Sequence, residues 1–84
     1  MNKGDTVYVI LRNKVRVGEL GNKTTAQGFY TRWGEGHTIL ERSSPTCALA
    51  RDYNNEDIFS TKRAAVKELF TRRLRYPQFF QGAA

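Results

Sequence analysis

One cysteine and one histidine, Cys47 and His37, stand ten residues apart in a chain of 84 residues, and neither has a second copy. A thiolate activated by an imidazole is the one nucleophilic pair they can form. An intramolecular disulfide and a zinc site are excluded by the same count. The pair falls on a predicted fourth strand and the loop after it, where the two side chains could meet, but a structural cysteine is the simpler expectation. Gly34-Glu35-Gly36 lacks the glycine spacing and the strand-to-helix setting of a phosphate loop, so it reads as a hairpin turn. Asp52, Glu56 and Asp57 lack the glycine and the bidentate glutamate of a calcium loop and read as a solvated approach to a helix. These residues predict no catalytic machinery, no metal and no cofactor: the chain is expected to bind rather than to catalyse.

Binding chemistry is more plentiful. Residues 1–59 carry eight basic and seven acidic side chains, whereas residues 60–84 carry six basic ones and Glu68 alone, so that nearly all of the net charge of +6 lies in the last third. Lys67, Arg72, Arg73 and Arg75 are the candidate contact residues. Cations in the last turn of a helix complement its dipole, which accounts for one or two of them. The excess points to a surface for phosphates or for an acidic protein. Tyr30-Thr31-Arg32-Trp33 adds the aromatic and cationic composition of a base-stacking platform, with Tyr30, Arg32 and Trp33 as candidates and Arg16 on the neighbouring hairpin as an extension. The same aromatics could equally serve the core of so small a domain.

The elements that must position these groups follow from periodicity. Thr6–Leu11 is a β-branched and aromatic run apolar on both faces, the pattern of a central strand. Arg12-Asn13-Lys14 is its turn, and Val15-Arg16-Val17 starts a second strand, with a bend at Gly18 and an end at Gly21-Asn22-Lys23. A third strand is expected over Gln27–Trp33 and a fourth over His37–Glu41. Arg42–Glu56 reads as a loop holding at most a short fifth strand. Ser60 is the expected N-cap, with Phe59 stapled onto Ala64, for a helix from Thr61 to Leu74 or Arg75. Val66, Leu69, Phe70 and Leu74 share one face of it and are expected to pack on Val7, Val9 or Val17. Tyr76-Pro77 ends the helix. The aromatic tail, Tyr76, Phe79 and Phe80, either folds back or forms a docking or dimerisation surface.

The expected architecture is α+β: a small antiparallel sheet, or partly open SH3-like barrel, of four to five strands with one C-terminal helix packed on it. The whole of 1–84 is taken as one domain, with a β body over 1–59, a basic helix over 60–76 and a short tail over 77–84. The charged N-terminus and the lack of any long apolar run predict a cytoplasmic protein with no membrane segment.

Lys3-Gly4-Asp5-Thr6-Val7-Tyr8-Val9 resembles the opening strand of small SH3-like barrels, among them nucleic-acid and ribosome-associated modules of the KOW type. Ile58-Phe59-Ser60-Thr61, leading into an Ala-containing helix, is similar to short phage and mobile-element accessory proteins. The first resemblance implies a nucleic-acid or nucleoprotein partner. The second implies a protein that binds and inhibits a host protein, of the anti-defence or transcription-modulating kind. Composition leaves a homodimer open.

Overall fold

The computed structural model describes residues 1–80. Five strands form one antiparallel sheet: β1 (Thr6–Leu11), β2 (Lys14–Ala26), β3 (Gly34–Ser44), β4 (Cys47–Asn54) and β5 (Ile58–Phe59), in the order β4-β3-β2-β1-β5. A single helix, α1 (Lys62–Arg75), follows and packs on the β1 side of the sheet. The sheet is open, with β4 and β5 at its edges. The fold is therefore the expected α+β sheet-plus-helix arrangement, but not a closed barrel.

β1 is apolar on both faces because both are covered. Val7 and Val9 point one way and join Leu20, Ile39, Tyr53 and Ile58 in one buried cluster. Flat strands would hold β4 about 14 Å from β1, three spacings away, so a cluster that includes Tyr53 of β4 and Val9 of β1 requires a curled sheet. The curl is helped by a bulge between Leu20 and Lys23, where β2 bends and continues to Ala26 instead of ending. Gly18 is needed inside the curl: a Cβ there would meet the Ile39 Cγ2 at 2.5 Å.

The opposite face of β1 meets the helix. Ile10, Ala65 and Leu69 form the second buried cluster, with Tyr8, Val15, Phe59 and Phe80 packed against it. Parity decides which valines the helix can reach. Val7 and Val9 face away from it, and Val17 is exposed, so the expected contacts of α1 with those three residues are replaced by contacts with Ile10 and the residues around it.

Five further expectations are corrected. Gln27–Trp33 is a loop rather than a strand. Gly34-Glu35-Gly36 opens β3 rather than turning the chain, and Gly36 serves close strand approach, since a Cβ there would collide with the Tyr53 carbonyl. Arg42–Glu56 is no loop: it holds the end of β3, a tight turn and β4, an exposed edge strand. The N-cap is Thr61, whose hydroxyl accepts from the Ala64 amide at 3.1 Å, and Phe59 packs in the helix-side core rather than on the exposed Ala64. Pro77 ends the helix as expected and starts a 3-10 turn over Pro77–Phe79. Phe80 then folds back beside the second core cluster while Phe79 stays exposed; tail residues 81–84 lie outside the described residues.

Candidate binding surface

The inward face of α1 is built from Ala65, Leu69 and Arg72, at steps of four and three. Phe70 and Leu74 are exposed, Leu74 at 83%. This reverses the roles expected for two apolar residues and one arginine. Arg72 is only 2% exposed. Its guanidinium makes ion pairs with Asp57 at 2.8 Å and Glu68 at 2.7 Å, and donates to the Glu56 carbonyl at 3.1 Å. It also lies 4.6 Å from the Phe29 ring centroid and 5.2 Å from that of Tyr30. A buried cation is tolerated only when paired and hydrogen-bonded in this way. Arg72 is thus a structural hub that fixes the 27–33 loop and the Asn55–Asp57 turn against the helix.

Of the acidic residues expected to be a solvated approach to the helix, Asp52 is exposed, whereas Glu56 and Asp57 are drawn into the network around that hub. Burial pushes the Asp57 carboxyl above its usual range, with Arg72 opposing the shift. Desolvation works in the same direction at Glu56, but the Thr31 hydroxyl and the Tyr30 and Thr31 amides all donate to its carboxylate and bring it below the usual range. Those two amides are backbone donors that a strand would have used in a ladder, which is why 27–33 can remain a loop. Glu68 is likewise lowered, against desolvation, by Arg72 and by the Tyr30 hydroxyl at 2.8 Å.

Arg73 is also engaged. Its Nε donates to the Asn13 side chain at 2.6 Å, clamping the β1–β2 turn, and its guanidinium lies 5.3 Å from the Phe70 ring centroid. Of the four helix cations expected to contact a partner, only Lys67 and Arg75 are exposed without an ion-pair partner among the described residues. Tyr30 is half exposed but tied to Glu68, whereas Arg32 and Trp33, at 66% exposure, project from the loop. Arg16 does not extend this group: it pairs with Glu41 at 2.7 Å, inside the curl on the face away from the helix.

Spacing of four along α1 reveals the surface that the sequence reading missed. Lys62, Val66, Phe70 and Leu74 form one outward ridge, and Arg63, Lys67, Thr71 and Arg75 form the ridge beside it. Only Val66 and Thr71 among them are partly covered. An apolar ridge therefore runs beside a basic one on the solvent side of the helix. Dipole chemistry explains Arg75, in the last turn, but not the other cations of the outward face. Lys62 and Arg63 occupy the first turn, which holds no acidic residue and where cations are unfavourable. Arg63 and Lys67 are a like-charge pair four apart, a destabilising arrangement of about 0.2–0.5 kcal/mol.

The cysteine and histidine are far apart. β3 and β4 pair with Ser44 opposite Cys47 and His37 opposite Tyr53, so the two lie at opposite ends of the hairpin, about 20 Å apart along the strands. His37 Nδ1 contacts the Asn55 side chain at 2.8 Å, and Cys47 is exposed. Among the described residues no group of three or more His, Cys, Asp or Glu side chains is placed to hold a metal, and no helix is long and apolar enough to cross a membrane. No protein-family model, curated protein or solved structure matches the chain.

Proposed function

We propose that the protein is a non-catalytic binding module whose C-terminal helix docks onto an acidic surface of another protein. The observation that carries this reading is the pair of adjacent outward ridges, Val66-Phe70-Leu74 and Arg63-Lys67-Arg75. An apolar ridge in water favours burial in a partner's groove, and a flanking row of cations without internal partners favours an acidic rim on that groove. This is the chemistry of a helix laid into a protein surface. A purely phosphate-tracking surface would need more free cations and no exposed Phe70 and Leu74. The resemblance to mobile-element accessory proteins that block host proteins agrees with such a role.

Arg32 and Trp33 favour a second reading, contact with single-stranded nucleic acid, because an exposed indole beside a free guanidinium can stack and neutralise one nucleotide. Titration of labelled single-stranded DNA and RNA at graded salt separates the readings. The first expects no appreciable binding above about 0.1 M salt, together with capture of a discrete acidic protein that survives nuclease treatment. Tight binding that weakens steeply and linearly in log salt would replace it with the second.

A further inference from the structure

A cleft of about 290 Å³ lies on the other side of the molecule's helix-to-sheet joint, between the β1–β2 turn, the 27–33 loop, β4 and the folded-back tail. Phe29, Phe79 and Phe80 contribute aromatic surface to it, and Arg12 and Arg51, both exposed, contribute charge. Tyr53 lines the same cleft. It is 4% exposed, and its hydroxyl is buried with no hydrogen-bond partner. That hydroxyl is closed to the cleft, so Tyr53 serves as part of its floor and offers no polar contact there.

The observation that points to a ligand concerns Arg12. The turn between β1 and β2 has two residues, since Leu11 pairs with Lys14, and Arg12 adopts φ 57 there. That left-handed conformation is cheap for glycine and costly for an arginine. Strain held at one residue is a mark of function when the side chain it presents faces a site. Arg73 clamps the next residue, Asn13, and so fixes the turn from the helix. The two aspartates of the cleft are already occupied: Asp57 is paired with Arg72, and Asp52 accepts from the Thr38 hydroxyl at 2.6 Å. Arg12 and Arg51 have no ion-pair partner among the described residues.

We propose that this cleft binds a carboxylate carried on an aromatic body, with Arg12 and Arg51 gripping the carboxylate and Phe29, Phe79 and Phe80 holding the ring. Planar guanidinium groups match a carboxylate, and the two aspartates would repel a dianionic phosphate more strongly than a monoanion. Pockets for drug-sized ligands run from about 300 to 1,000 Å³, so this cleft suits a single aromatic acid or the last residue of a peptide chain, not a nucleotide. The site shares no residue with the outward ridges of α1 and does not depend on the function proposed for them.

The test is a titration with N-acetylphenylalanine and with its amide, followed by backbone amide shifts at Arg12, Tyr53 and Phe80. The acid is expected to shift all three saturably and to bind about tenfold more tightly than the amide. Arg12→Gly is the decisive variant because it removes the guanidinium while relaxing the turn: its melting temperature should equal or exceed that of the wild type, yet its affinity for the acid should fall about tenfold. A peptide ending in phenylalanine distinguishes the sources: tighter binding than the free acid identifies a protein C-terminus, equal or weaker binding a small acid. Equal affinity for acid and amide, absence of shifts at these residues, or wild-type affinity in Arg12→Gly would each overturn the proposal.

Discussion

Arg72 Nη1 lies 2.8 Å from Asp57 Oδ1 in the interior, joining the last turns of the helix to the segment that precedes it. Removing one partner of a buried pair leaves the other charge uncompensated, at a typical cost of about 3–5 kcal/mol. Arg72→Ala is expected to lose that much in urea unfolding, enough to unfold a large share of so small a domain. Arg72→Lys should recover only part of the loss, because a point charge cannot serve Asp57, Glu68 and the Glu56 carbonyl together. Stability close to wild type in Arg72→Ala would remove the hub from this account.

The carboxylates around that hub set the acid limb of stability. Glu56 and Glu68 have folded values below their unfolded ones. Their contribution is complete above the unfolded carboxyl value of about 4.3 and is lost as pH falls through the folded values, since the unfolded chain takes up protons there that the folded chain does not. Asp57, raised by burial, acts in the opposite sense and regains a little stability on protonation. The two glutamates outnumber it, so the urea midpoint should fall between about pH 5 and pH 3. Glu56→Gln should flatten that slope. A midpoint independent of pH over this range would contradict the arrangement.

How far the sequence was legible depended on whether an element's neighbours were local. β1 announced itself by its run of β-branched residues, and α1 by its length without glycine or proline and its Tyr76-Pro77 ending. Gln27–Trp33 alternates like a strand, but two of its backbone amides, those of Tyr30 and Thr31, are taken by Glu56, more than twenty residues away. β4 has no alternation because it is an exposed edge strand, and nothing in Cys47-Ala48-Leu49-Ala50 marks it as one. Sequence alone presents Arg72 as a surface cation, because a buried arginine is defined by distant partners. One local signal did exist: Glu68 stands four residues before it, the spacing of a helical ion pair.

Leu69 and Leu74 test which helix face is core. Leu69 is buried with Ile10 and Ala65, whereas Leu74 is exposed. Leu69→Ala is expected to cost about 2–5 kcal/mol. Leu74→Ala should stay within about 0.5 kcal/mol of wild type, as surface changes generally do. Equal losses at the two positions would mean that the helix is rotated from the orientation described.

The outward ridges are tested by the double variant Lys67→Glu with Phe70→Ser, which changes one residue in each. Neither side chain is buried, so the change in stability should remain within about 1 kcal/mol. The charge reversal even relieves the repulsion between Arg63 and Lys67, by about 0.2–0.5 kcal/mol in an isolated helix. Loss of the Phe70 ring removes the face beside Arg73, but the Arg73 bond to Asn13 at 2.6 Å remains to hold the turn. A protein partner captured through these ridges should therefore bind the variant at least tenfold more weakly, the equivalent of about 1.4 kcal/mol, while the melting curve barely moves. Phe70→Ser alone should act mostly on the dissociation rate, and Lys67→Glu alone mostly on the association rate and its salt dependence. If nucleic acid were the partner, Lys67→Glu would lower the slope of log affinity against log salt by about 0.7–0.9, and Phe70→Ser would leave that slope unchanged. Unchanged affinity of the double variant for every partner would leave the ridges without a binding role and move attention to Arg32 and Trp33.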